Sequence, residues 1–310
     1  MSSILSIILA GGAGKRLSPL TAFRAKPAVF FGGQYRIIDF VLSNFVNSDL
    51  HKIYLVTQFK SHSLNTHIQR CWRIAGLPGK FIETLPAQMW TGYDWYQGTA
   101  DAVYQNIYHI ESNDPDIVCI FGGDHVYTMD VRQMISQHEQ SNADLTVAAI
   151  PVPVDKAHHF GIIETDANGR MVGFQEKPKT RPKTIPGNPL YALASMGNYV
   201  FNKKCLLREL KADAATKNSS HDFGKDIIPS LFLRAKVMIY DFSTNSISGD
   251  LNDGYWRDVG TIDSYWQANM DLLSSKPPIN LHNRQWPINT YIPPYPPALL
   301  TYDRAVREGR

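Results

Sequence analysis

The chain has 310 residues, 44% hydrophobic and 19% charged, with a formal net charge of +3: the make-up of a soluble globular protein with room for one large α/β domain or two smaller ones. So small a charge, with no basic stripe, gives no electrostatic case for a nucleic-acid partner. Cys71, Cys119 and Cys205 are far apart and lack C-x-x-C spacing, which indicates neither a disulfide framework nor a zinc site and fits a reducing cytoplasm.

The first predicted element is a strand from Ile4 to Ala10. Ile4, Leu5, Ile7, Ile8 and Leu9 are apolar on both faces, as in a parallel strand covered by helices on each side. The run is too short for a membrane span and has no charged region before it, so it reads as neither signal peptide nor anchor. It passes directly into Gly11, Gly12 and Gly14, which free the backbone to turn its N–H groups toward an anion. Lys15, Arg16 and Lys26, with Arg24 nearby, supply cations. A Walker loop needs a glycine where Leu9 stands and Ser or Thr where Arg16 follows Lys15, and a dinucleotide fingerprint needs a third glycine where Leu17 stands. Both are excluded. A plain tight connection is the alternative to a phosphate site.

Further strands are predicted at Lys52 to Thr57, Ile117 to Phe121, Asp144 to Ile150 and Lys236 to Tyr240, with helical patterns between several of them, which predicts a mainly parallel sheet. Ala100, Val103, Ile107 and Ile110 form one stripe of a helix over Thr99 to Ile110, with Thr99 as N-cap and Asp101 in the first turn. Gly161 to Glu176 reads as two strands around Asp166-Ala167-Asn168-Gly169, and Tyr191 to Phe201 as another strand, so a hairpin lobe is added to the sheet. A binding crevice is expected at the carboxyl ends of the strands. From Pro277 to Pro297 there are seven prolines, a density that predicts an extended linker or wrapped tail, followed by an unanchored last dozen residues.

Several residues stand where chemistry is expected. Asp124 follows the apolar run Ile117 to Phe121 through Gly122 and Gly123, which suits a magnesium ligand at a strand's carboxyl end; helix capping is the bland alternative. Gln58, just after a strand, and Gln97-Gly98-Thr99, at the opening of a helix, are placed to contact a base or a phosphate. Asp258 reads, on its own, as a turn or N-cap residue before a helix starting near Thr261. Glu176-Lys177-Pro178 closes a strand and offers a point charge for a phosphate monoester beside an acceptor for hydroxyls.

The segments G-G-A-G-K-R-L-S-P-L-T and R-A-K-P-A-V together resemble the sugar-nucleotide pyrophosphorylases. More narrowly, F-G-G-Q-Y-R-I-I-D-F, S-N-F-V-N-S, T-Q-F-K-S-H-S-L, W-Y-Q-G-T-A-D-A-V, G-G-D-H-V-Y, A-S-M-G-N-Y-V-F, N-S-S-H-D-F-G-K-D and Y-W-R-D-V-G-T look like the bacterial glucose-1-phosphate adenylyltransferases. The likeness runs in order to about Pro297.

The resemblance implies a Rossmann-like α/β fold with an added sugar-binding lobe. It implies a catalytic domain over residues 1–276, with a nucleotide half at about 1–150 and a sugar half at about 151–260, then a proline-rich tail over 277–310. The β-helix that usually follows in this family has no counterpart here. The implied reaction transfers the adenylyl group of ATP to glucose 1-phosphate, giving ADP-glucose and pyrophosphate for glycogen or α-glucan synthesis. Arg16, Lys26 and Asp124 carry it, and Mg²⁺ is held by Asp124 and Asp258. Tyr96, Gly161, Glu176, Lys177, Ser195, Tyr199, Asp222 and Trp256 are assigned to the sugar phosphate; Gly11, Gly12, Gly14, Gln58, Gly98 and Thr99 are assigned to the nucleotide. Lys15 and Gln97 depart from the family pattern, where Thr or Ser and, in many bacterial members, arginine stand. Gln34 takes the place of an activator-binding lysine, from which weak or no response to fructose 1,6-bisphosphate is expected. A homo-oligomer weakened by loss of the β-helix, without membrane or nucleic-acid partners, is implied. A non-catalytic regulatory subunit, or a pyrophosphorylase for another nucleotide or sugar phosphate, is the alternative.

Overall fold

A computed structural model describes residues 2–73, 78–88, 95–180, 182–249 and 254–294 of the chain. In order, the first elements are β1 (Ile4–Leu9), the short β2 (Phe30–Phe31) and β3 (Tyr35–Arg36), α1 (Ile37–Asn47), β4 (Lys52–Thr57), α2 (His62–Cys71) and β5 (Phe81–Pro86). Then come α3 (Thr99–Tyr104), α4 (Ile107–Asn113), β6 (Ile117–Gly122), β7 (His125–Tyr127), α5 (Val131–Ser141) and β8 (Leu145–Pro153). The remainder is β9 (Gly161–Thr165), β10 (Met171–Glu176), β11 (Tyr191–Asn202), α6 (Lys203–Ala214), α7 (Ile228–Leu231), β12 (Val237–Asp241), β13 (Trp256–Asp258) and α8 (Ile262–Asp271).

One nine-stranded sheet carries the fold, in the order β10-β9-β11-β6-β1-β4-β5, with β8 and β12 branching from β11. Strand β1 lies parallel between β4 and β6, with Leu9 level with both Val56 and Gly122. The three carboxyl ends therefore stop together, and the chain leaves them as the glycine loop, Gln58 and Gly123-Asp124. Side chains alternate across β1: Ile8 packs with α1, α2 and α5 on one face, while Leu5 and Ile7 pack with α3, α4 and α6 on the other. That double burial is why the strand is apolar at every position but Ser6, which is buried with it.

The predicted hairpin is β9 and β10, antiparallel with Glu176 opposite Gly161. It belongs to the same sheet rather than to a separate layer. One edge of β11 is shared: Leu193 and Ala194 pair with β9, whereas Tyr199 to Asn202 pair with β6. The register of β11 against β8 shifts between Ser195 and Tyr199. Between Ala194 and Tyr199, where β11 changes partner from β9 to β6, that edge carries no ladder pairing.

The helix predicted over Thr99 to Ile110 is two helices. Asn106 is buried, and its side-chain amide donates to Ala102 O at 2.8 Å and to the Tyr96 hydroxyl at 2.9 Å, which tightens the chain between α3 and α4. Gly98, not Thr99, is the N-cap. The proline-rich tail, as far as it is described, is a docked strap on α1. Thr290 Oγ1 donates to Asp39 at 2.7 Å, Asn289 N to Ser43 Oγ at 2.9 Å, and Asn47 Nδ2 to Pro287 O at 2.9 Å. Fully buried Asp39 also accepts from Arg36 N and Trp72 Nε1, and His67 Nε2 lies 2.6 Å from it. The expected unanchored end lies outside the described residues.

Candidate active site

The site is a crevice of about 660 Å³ at the carboxyl ends of the strands and the stretch Ser195 to Tyr199 of β11. On one wall, Gly11, Gly12 and Gly14 follow β1, and Arg16 sits in the short turn Lys15–Leu17. Gly14 has a φ of +60°, and a Cβ there would meet Lys26 Cβ and Thr21 Cγ2 at 3.1 Å. Gly12 is different: a Cβ on it meets nothing within 4 Å, so its bare backbone faces open space. That is a cradle left empty by protein.

Lys26 begins the turn Lys26–Ala28 and is 6% exposed, yet its Nζ reaches the crevice between two carboxylates. It donates to Asp124 Oδ2 and to Asp258 Oδ1, both at 3.0 Å. Burial alone disfavours the ionised forms on both sides. The two carboxylates outweigh it and raise the Lys26 pKa, while Lys26 and His125 hold Asp124 well below the usual carboxylate range.

Asp258 arrives through a ladder that the sequence does not announce. Strand β13 pairs antiparallel with β7, placing Asp258 opposite His125, the residue after Asp124. Thr261 caps α8, so Asp258 is free of the capping role. Asp124 likewise caps no helix; β7 follows it. Gly260 keeps the corner open: a Cβ there would lie 3.1 Å from Asp258 Oδ1 and 3.3 Å from Arg16 Nη2. No group of three or more His, Cys, Asp or Glu side chains able to hold a metal occurs among the described residues. The pair Asp124–Asp258 could hold a hard cation that draws its other ligands from phosphate oxygens and water.

The opposite wall is built by the hairpin and β11. Glu176 Oε2 lies against Gly161 and Gly224, where added Cβ atoms would come to 3.0 and 3.2 Å. Lys177 adopts a left-handed φ of +45°, donates its N–H to Phe160 O at 3.0 Å and lies 3.1 Å by Nζ from Glu176 Oε1. Ser195, Tyr199, Asp222 and Trp256 complete this side. Burial raises the Tyr199 phenol far above its ordinary range, with Asp222 and Glu176 adding to it. The Tyr96 hydroxyl, at the crevice, accepts from Asn106.

The residues assigned to the reaction, the sugar phosphate, the nucleotide and the metal all line this one crevice, whereas Gln97 and Arg24, also expected near a ligand, do not. The structure differs in detail at the opening of α3. The N–H groups of Ala100 and Asp101 already donate to His221 O, and Thr99 Oγ1 donates to Asp222 and accepts from Phe223 N. This helix end is therefore spent on protein rather than offered to an anion. A Cβ on Gly98 would lie 2.2 Å from His221 O, so this glycine serves a close chain approach. Asp222 is similarly engaged, capping the turn at Phe223 by accepting from Gly224 N and Lys225 N. Arg24 and Arg36 both lie over the ring of Phe30, away from the crevice, and Gln97 lines a neighbouring cavity with Phe59, Lys60 and Trp95. Sequence reasoning missed His125, His159, Gly224 and Gly260. His125, Gly224 and Gly260 stand inside G-G-D-H-V-Y, N-S-S-H-D-F-G-K-D and Y-W-R-D-V-G-T, whereas nothing in the spacing marks His159. His159 is held below its usual pKa by burial, by His158 and by Arg16.

A glycine cradle, a cation between two carboxylates and a facing Glu-Lys pair, at the strand ends of a Rossmann-like sheet, define a nucleotidyl transferase class; that family's model matches residues 5–275. Among relatives, the glucose-1-phosphate adenylyltransferase of Photobacterium profundum is 59% identical over 97% of this chain and 74% of its own length. That of Vibrio cholerae is 57% identical over 96% and 73%, and that of Anaeromyxobacter dehalogenans 54% over 100% and 76%. The chain belongs to the glucose-1-phosphate adenylyltransferase family of nucleotidyl transferases.

Proposed function

We propose that this protein transfers the adenylyl group of ATP to glucose 1-phosphate, releasing pyrophosphate and forming ADP-glucose for glycogen or α-glucan synthesis. The observation that carries this reading is Lys26 set between Asp124 and Asp258 across from Glu176-Lys177 in a single crevice, in a chain about 58% identical to named adenylyltransferases. A phosphate oxygen of glucose 1-phosphate forms the new bond to the α-phosphorus of ATP. The bond from that phosphorus to the bridging oxygen breaks, and its electron pair leaves with pyrophosphate. No general base is needed, since a phosphate monoester with a second pKa of about 6 is already largely ionised near neutral pH.

In this reading the chain's task is to orient reactants and offset charge. The open backbone at Gly12 and the guanidinium of Arg16 receive the triphosphate. Lys177 holds the attacking phosphate, and Glu176 accepts hydrogen bonds from sugar hydroxyls beside Gly161, whose missing side chain makes room for the Phe174 ring. Gln58, Gly11 and Gly14 shape the nucleotide end; Tyr96, Ser195, Tyr199 and Trp256 wall the sugar end. Asp124 and Asp258 would hold Mg²⁺, whose chemistry when bound is to neutralise charge on phosphate oxygens. The donor set fits: two carboxylates already converge on one cation, the Lys26 ammonium.

A cytoplasmic location and a homo-oligomer fit this metabolic reading; among the described residues no helix is long and apolar enough to cross a membrane. The test is ATP labelled at the α-phosphorus. Label appearing in a glucose-containing nucleotide supports the transfer, and label remaining in ATP or AMP contradicts it.

A further inference from the structure

Lys26 occupies the place in this site where a cation belongs. Its Nζ is 3.0 Å from a carboxylate oxygen on each of two elements, Asp124 after β6 and Asp258 at the end of β13. The stem is fixed: the turn Lys26–Ala28 closes through Val29 N to Lys26 O at 3.0 Å, and a Cβ on Gly14 would meet Lys26 Cβ at 3.1 Å. The carboxylates that it meets are more open than the lysine, whose side chain is 8% exposed. Asp124 and Asp258 keep 37% and 27% of their side-chain surface, on the side of the open crevice.

We infer that Lys26 is a built-in counter-cation of the Asp124–Asp258 pair, one that a divalent ion arriving alone has to displace. Two facing carboxylates without a cation repel each other, and the ammonium keeps them converged in the absence of ligands. A divalent ion added to that arrangement brings positive charge against positive charge. The conflict disappears when a polyphosphate enters with the ion, because the ammonium can then turn to phosphate oxygens while the carboxylates keep the metal. The site is thereby biased toward taking the divalent ion together with nucleotide. This inference rests on the proposed metal role of Asp124 and Asp258 and adds an order of entry to it.

The opposing view is that Lys26 only contacts nucleotide and is neutral toward the metal, or helps to order its ligands. The two views give opposite signs for one measurement, the affinity of the nucleotide-free protein for Mn²⁺ alone, followed by electron paramagnetic resonance on the full chain. With Lys26→Gln, which removes the charge but keeps a polar side chain, Mn²⁺ binding is expected to tighten by about tenfold or more, since a cation within about 4–6 Å of a carboxylate shifts its ionic equilibrium by about one to three powers of ten. The double variant Lys26→Gln/Asp258→Asn is expected to lose that gain. Thermal melting supplies the second readout: Mn²⁺ stabilises Lys26→Gln and leaves the unsubstituted chain nearly unchanged. If Lys26→Gln is unfolded without metal, Mn²⁺ is expected to restore its circular dichroism.

Equal or weaker Mn²⁺ binding by Lys26→Gln overturns the inference, as does an unfolded variant that Mn²⁺ does not restore. The metal reading is tested separately by adding ATP to the unsubstituted chain. Mn²⁺ that binds with ATP, but equally well to both proteins without it, sinks only the counter-cation role. Absence of Mn²⁺ binding even with ATP sinks the metal assignment and this inference together.

Discussion

Asp258 stands opposite His125 in the two-stranded ladder of β13 and β7, which sets its carboxylate beside that of Asp124 although some 130 residues separate them in the chain. A three-residue ladder, rather than any motif, assembles the acidic end of the crevice. Its consequence is that each carboxylate can be removed without dismantling the main sheet.

Asp124→Asn is therefore expected to fold and to lose turnover. Removal of one electrostatic contact of this kind costs on the order of 10²–10³ in kcat. Steady-state pyrophosphate release, with circular dichroism on the same sample, checks both parts. Near-normal turnover would contradict the role given to Asp124.

Two glycines of the site separate packing from binding. Gly98→Ala forces a Cβ to within 2.2 Å of His221 O and 2.5 Å of Ser220 O, both backbone atoms. It is expected to destabilise by about 1–3 kcal/mol in denaturant unfolding. Gly12→Ala meets no protein atom within 4 Å and is expected to leave stability unchanged while raising the KM for nucleotide. Equal stabilities for the two variants would contradict the assignment.

His138 gives the fold an acid limit. It is 3% exposed, its Nδ1 is 2.8 Å from Thr146 Oγ1, and burial lowers its pKa to about 4 against the opposing pull of Glu139 and Asp144. The folded value lies below the unfolded value of 6.5, so the unfolded chain takes up the proton first. The contribution is complete above pH 6.5 and is lost as pH falls toward 4, in total roughly 3 kcal/mol. Unfolding free energies at pH 7.5 and 5, compared between the unsubstituted chain and His138→Gln, should show the smaller drop in the variant.

The strap makes a local prediction. Thr290→Val removes one of the donors to buried Asp39 and is expected to cost about 1 kcal/mol or somewhat more. Hydrogen exchange should show the loss concentrated in α1 and α2, which Asp39 joins. An unchanged exchange pattern would mean that the tail is not coupled to these helices.

The long buried strands were the legible part of this fold, whereas β5, β7 and β13 were not read from the sequence. Lys52–Thr57 was read residue for residue, because a parallel strand buried on both faces leaves a short apolar run with no helical period. The glycine loop and Asp124 were legible for a related reason, since each follows directly on such a strand. The break at Asn106 was hidden inside a good helical stripe, because it comes from one side chain turning back to bond Ala102 O and the hydroxyl of Tyr96, ten residues upstream. The engagement of the α3 opening was equally hidden: His221 lies more than a hundred residues away, and no local pattern places its carbonyl on Ala100. His159 lies in no quoted motif, and Gly260, although inside Y-W-R-D-V-G-T, is not singled out by it. Their importance exists only once β13 has brought Asp258 beside Arg16 and His159.

The central claim, adenylyl transfer to glucose 1-phosphate, meets its most direct test in pyrophosphate release by the purified chain with glucose 1-phosphate, Mg²⁺ and each of ATP, UTP, dTTP, CTP and GTP in turn. Release with ATP far above the other four is the expected result, and it requires glucose 1-phosphate. Release with UTP or dTTP but not ATP, or ATP binding with no release under any condition, would contradict it.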